Sequence, residues 1–189
     1  MRRNAIVIAV TLLVILAVGL LSTLAYFTDK KEVTNTFTVG NLKIDLTEPD
    51  FVANSKLLPG TTIAKDPTVK LLEGSEEAYI FMQIVYGGNI MNFLDTISVN
   101  TNWKLVTGRT DLYVYAPGGT AGVVTAGTML PALFSKVAVK SSLDGASFTD
   151  FSAANDKITI KAFAHQAYIN GALDYTTAEA AAKVQLPNS

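Results

Sequence analysis

Nine consecutive residues, Ala78 to Tyr86 (AYIFMQIVY), limit the fold more than any other stretch of this chain. Nearly all are β-branched, aromatic or otherwise apolar, and Gly87-Gly88 closes the run, so it reads as a strand. A strand that is apolar on both faces has to be covered on both, which makes this the centre of a sheet with layers above and below it. Shorter strands surround it in the sequence. Phe37, Val39, Leu42, Ile44 and Leu46 recur at alternate positions, with Gly40-Asn41 as a turn or bulge between two halves. Val69 and Leu71 flank Lys70, Leu112 to Tyr115 runs into the turn Ala116-Pro117-Gly118-Gly119, and Val137 and Val139 sit among lysines. Ile158, Ile160, Ala162 and Ala164 oppose Lys157, Thr159 and Lys161.

Turn chemistry separates these runs. Leu58-Pro59-Gly60-Thr61 fits a type II turn, Asp66-Pro67 marks a boundary, and Leu143-Asp144-Gly145 signals a tight connection. Ile90, Phe93, Leu94 and Ile97 have helical spacing, and an extended run from Val99 to Val106 follows through Trp103 and Leu105. Near the end Thr176 precedes Glu179 by three residues, a capping-box spacing that predicts a short Ala-rich helix over Thr177 to Val184. The expected fold is mostly β: a single-domain β-sandwich of jelly-roll type with minor helices in its loops, preceded by an N-terminal signal helix.

That signal is the apolar segment Ala5 to Leu21 behind the charged start MRRN. Seventeen residues span about 25 Å as a helix, a little short of a roughly 30 Å hydrocarbon core, so a cleaved signal and an uncleaved anchor both fit. Thr23 and Ala25 supply the small side chains that a cleavage site needs, placing the cut before Tyr26. The predicted organisation is residues 1–25 as signal peptide, 26–38 as an N-terminal arm and 39–189 as the β-sandwich. Fifteen basic residues face sixteen acidic ones, and removing Arg2 and Arg3 with the signal leaves the balance more acidic, with scattered lysines. Such a surface argues against a nucleic-acid partner. With no cysteine, an oxidising compartment adds no crosslinks, and stability must come from packing or assembly.

Reactive groups are sparse. His165 is the one histidine, which leaves no HExxH and would force a zinc site onto carboxylates almost alone. No G-x-S-x-G is present to seat a nucleophile. The loop Glu73 to Glu77 (EGSEE) is acidic but lacks the oxygen spacing of a calcium loop and reads as a solvated turn. Trp103, Tyr113 and Tyr115 could form a sugar-stacking face or act as core and cross-strand partners. No catalytic residue, metal or cofactor is expected.

The run LAYFTDKK, then NTFTVGNLKIDL, then LLPGTTIAKDPTVKLLEGSEEAYIFMQIVY, resembles the TasA/camelysin family of exported Gram-positive proteins. Ala25, Tyr26, Phe27 and Asp29 match the family's cleavage motif; Gly40, Leu42, Ile44 and Leu46 match its first strand; Pro59, Gly60 and Ala78 to Tyr86 match its turn and long apolar strand. The resemblance covers the first half of the chain. It implies a jelly-roll domain that polymerises into extracellular fibres of the biofilm matrix or accompanies them, and some members carry a metalloendopeptidase label. The chain departs from sortase-assembled pilins in ending KVQLPNS, with no apolar tail. Its leading reading is therefore a secreted, cell-surface or matrix fibre subunit. The alternatives are a secreted camelysin-type metalloendopeptidase and a monomeric carbohydrate-binding module.

The arm suggests how subunits join. It has no proline to interrupt a ladder, carries Val33 and several threonines, and offers Tyr26, Phe27 and Phe37 as side chains to fill pockets. Its charged middle, Asp29 to Glu32, suits a solvated edge. Donor-strand addition to a neighbour would make a homopolymer, with an accessory fibre protein as a further partner and contact with membrane only through an uncleaved signal segment.

Overall fold

The structure is a computed structural model, and it describes residues 41–52 and 55–188. The strands are β1 (Ile44–Thr47), β2 (Thr62–Ala64), β3 (Thr68–Leu71), β4 (Ala78–Tyr86), β5 (Trp103–Leu105), β6 (Leu112–Tyr115), β7 (Lys136–Ala138), β8 (Ile158–Gln166), β9 (Tyr168–Ile169) and β10 (Ala172–Leu173). Helix α1 (Ile90–Phe93) is a single turn, and α2 (Tyr175–Gln185) spans eleven residues. The protein is mostly β with few helices.

Four strands form one antiparallel sheet in the order β5-β6-β4-β8. The remaining strands pair as ribbons: β1 with β3, β2 with β7, and β9 with β10. The apolar run Ala78–Tyr86 is β4, with the bounds expected from the sequence, in the interior of the sheet. Its two faces feed two cores. Ala78, Ile80, Met82 and Ile84 pack with Val69 and Leu71 of β3, Val137 of β7, and Leu130, Leu133 and Phe134. Tyr79 and Phe81, pointing the other way, pack with Leu112 and Val114 of β6 and with Ala178, Ala182 and Leu186 of α2. Each large apolar side chain so buried contributes about 1.5–3 kcal/mol.

Local signals account for most joints. Gly60 has φ +74° and Thr61 N–H donates to Leu58 C=O at 3.1 Å, as the type II turn requires. Gly88 has φ +53°, and a Cβ there would run into the carboxylate of Asp156. That carboxylate accepts from the Asn89 and Ser152 amides at 2.5 and 2.6 Å, and Gly87 N–H donates to Lys157 C=O at 2.8 Å. The end of β4 is thereby fastened to the start of β8.

The short helix and the strand through Trp103 and Leu105 form as α1 and β5, and the strand starts only at Trp103 because Asn100 C=O and Oδ1 accept turn hydrogen bonds from the Trp103 and Asn102 amides. One expectation is corrected. Helix α2 is capped by Asp174, not opened by a Thr176–Glu179 box. The Asp174 carboxylate accepts from Thr177 N at 2.9 Å and from Thr177 Oγ1 at 2.6 Å, and Glu179 instead pairs with Lys183 one turn on.

Candidate functional site

Of the two edge strands of the four-stranded sheet, β5 and β8, the longer is β8, and its outer edge is unpaired among the described residues. Ala78 exchanges backbone hydrogen bonds with Val124, and Ile84 N–H donates to Asp111 C=O, so the even-numbered residues of β4 face β6. Its odd-numbered residues therefore bond to β8, whose partners in register are His165, Phe163, Lys161 and Thr159. By the same alternation the amides of Ile158, Ile160, Ala162 and Ala164 point away from the sheet, and among the described residues no strand pairs with that edge. Nine residues are a long edge for a strand that no other described strand pairs.

Beside this edge runs a cleft. One part, about 410 Å³, lies between β8 and the end of β1 and is lined by Leu46, Glu48, Lys65, Ile158, Thr159 and Ile160. A more apolar part, about 250 Å³, continues past Ile158 and Lys65 toward Phe51, Leu57, Leu94 and Phe151. Strand β1 comes close to β8 without pairing with it. Lys65, 8 % exposed, donates to both Glu48 carboxylate oxygens at 2.7 and 2.8 Å and lies 4.8 Å from the centre of the Phe51 ring.

A second buried charge cluster stands on the opposite face. Arg109 donates through Nε to Asp111 Oδ1 at 2.9 Å and through Nη1 to Leu186 C=O at 2.6 Å. Its Nη2 lies 2.8 Å from the same Asp111 oxygen, off the line of a good hydrogen bond. Gln83 donates to Asp111 Oδ2 at 2.8 Å and to Pro187 C=O at 2.7 Å. This cluster ties the chain after α2 to the sheet. Sequence reasoning missed it, as it missed the Lys65–Glu48 pair.

None of the residues considered for chemistry converges. His165 is half-buried near the end of β8, its Nδ1 2.9 Å from Gln166 C=O. Among the described residues no group of three or more histidine, aspartate or glutamate side chains is placed to hold a metal ion. Glu73 of the acidic loop lies against Gly127, where a Cβ would meet its carboxylate. Trp103 is buried, meets Tyr115 edge to face at 5.7 Å and donates through Nε1 to Pro131 C=O at 2.9 Å. Tyr113 and Tyr115 pack on the main core, so the three aromatics considered for sugar stacking act as cross-strand and core partners. Burial, with Glu179 as the next cause, pushes the Tyr175 hydroxyl well above its ordinary pKa; its ring stacks on Phe81 at 6.3 Å. The cleavage residues Thr23, Ala25 and Tyr26, and the arm residues Tyr26, Phe27, Val33 and Phe37, lie outside the described residues, as does Gly40. Among the described residues no helix is long and apolar enough to cross a membrane.

The described residues form a β-rich domain with a long sheet edge that no other described strand pairs. Residues 3–86 match the family described as camelysin metallo-endopeptidase, so this part of the chain is similar to that family. The match ends at Tyr86, with β4. No curated protein and no solved structure matches the chain.

Proposed function

We propose that this protein is a secreted structural subunit of an extracellular or biofilm matrix fibre. Export removes residues 1–25, and the arm of residues 26–38 then adds to the β8 edge of a neighbouring copy. The observation that carries the reading is the outer edge of β8, with its outward amides and a cleft beside it that turns apolar past Ile158. Thirteen arm residues reach about 43 Å when extended, against about 30 Å for the nine residues of β8, so the arm is long enough to follow the whole edge. A strand seated there would bridge β8 to the β1–β3 ribbon and complete a two-layered sandwich of jelly-roll type. Ladder bonds worth about 1 kcal/mol each and two buried aromatic anchors offset much of the cost of ordering the arm.

The experiment is negative-stain microscopy of the secreted chain beside a form lacking Tyr26 to Val33. Filaments from the first, and a folded monomer from the second, support the reading. Normal filaments from the truncated form exclude the arm as connector. The family description favours a second reading, a camelysin-type metalloendopeptidase. One histidine, no cysteine and no convergent carboxylate group among the described residues do not fit a zinc site. Stoichiometric zinc with casein cleavage that is lost in a His165→Ala variant would establish the peptidase instead.

A further inference from the structure

The cleft beside β8 carries a buried ion pair, Lys65–Glu48, at the point where its two parts meet. Lys65 and Ile158 line both parts. An apolar cleft at the margin of a core gains by collapsing, since closure removes surface from water and would let β1 pair with the free edge of β8. A buried ion pair adds little net stability, because desolvation cancels most of the Coulomb gain, and replacing both partners by apolar side chains of similar size is often neutral. Its value has to be sought in geometry.

Every partner of Lys65 lies on the wall opposite β8. Glu48 immediately follows β1 and accepts two hydrogen bonds, and Phe51 supplies its ring face. The neighbouring backbone is held in the same direction, with Asp50 N–H donating to Asp66 Oδ1 at 2.9 Å and Lys65 N–H to Ser135 C=O at 3.2 Å. We infer that Lys65, Glu48 and Phe51 form a staple that holds the end of β1 away from β8 and keeps the cleft open for an incoming strand. This rests on the assembly proposed above and names the positioning residues of its acceptor. Lys65 is a positioning residue: it sets the population of the open cleft, and the incoming strand supplies the ladder bonds. A strand's apparent affinity falls in proportion to the open fraction, so a cleft closed nine-tenths of the time binds about tenfold more weakly.

The test measures capture of a labelled synthetic peptide of residues 26–39 by the full secreted chain, below the concentration at which filaments form. Wild type is compared with Lys65→Met, Lys65→Arg and Glu48→Gln, each also followed by thermal unfolding. The expected result is peptide capture by wild type, about tenfold weaker capture by Lys65→Met at a nearly unchanged Tm, and recovery with Lys65→Arg. If Lys65→Met does not fold, Glu48→Gln carries the comparison, with weakened capture expected there too. Equal capture by wild type and the folded variants overturns the staple and leaves the fibre reading standing. No capture by wild type overturns the fibre reading and the staple with it.

Discussion

Two buried ion pairs sit on opposite faces of the same sheet and do opposite things. Arg109–Asp111 is enclosed, with side chains 5 % and 8 % exposed, and it is bonded to the carbonyls that follow α2 directly and through Gln83. Lys65–Glu48 borders an open cleft, and the Glu48 side chain is 23 % exposed. The first closes a core over which α2 contributes mainly alanines, so the polar clamp supplies what small side chains cannot. The second stands where closure would remove the edge that the proposed fibre would use. Identical chemistry is structural in one place and positional in the other, and what surrounds each pair decides which.

The contrast is broken most sharply at the clamp. Arg109→Met strips Leu186 C=O of its donor and removes the guanidinium beside Asp111, and it is expected to cost about 3–5 kcal/mol in urea unfolding. Peptide capture at the β8 edge should be unchanged wherever that variant is folded. Lys65→Met should show the reverse pattern: the Glu48 carboxylate left behind is 23 % exposed and can rehydrate at the cleft, so stability stays within about 1 kcal/mol of wild type while capture weakens. A large stability loss in Lys65→Met would make the two pairs alike and remove the contrast.

A smaller effect comes from pH. Hydrogen bonds from the Thr177 side chain and backbone hold the Asp174 carboxyl below its ordinary range, and Ser147 does the same for Asp144. A carboxylate whose pKa is depressed on folding contributes stability that is complete above its unfolded pKa, about 3.9, and is lost as pH falls through the folded value. Unfolding measured against pH should therefore show the contribution of these caps intact above about pH 5 and declining below about pH 4. Asp174→Asn should flatten part of that decline. A decline beginning near pH 6 would assign it to other groups.

What the sequence made legible was local. The limits of β4, the type II turn at Gly60 and the alternation of Leu42, Ile44 and Leu46 each follow from a few adjacent residues whose periodicity or backbone preference is decisive. The two ion pairs were not legible because their partners are remote or unremarkable in sequence. Lys65 and Glu48 are seventeen residues apart, and Gln83 reaches Pro187 across 104. Arg109 and Asp111 are only two apart, yet nothing in their spacing says that they are buried. The cap of α2 failed for a narrower reason: Asp174 and Thr176 are both good capping residues, and the helix starts at Tyr175, so Asp174 caps it while Thr176 lies inside its first turn.

The central claim is that the outer edge of β8 receives a strand when the protein assembles, and amide hydrogen exchange across β8 in monomer and in filament tests it directly. The account predicts that Ile158, Ile160, Ala162 and Ala164, whose amides face the open edge, become protected on polymerisation. Thr159, Lys161 and Phe163, already bonded to β4, should change little. Filaments in which the even-numbered amides exchange as fast as in the monomer would contradict the account.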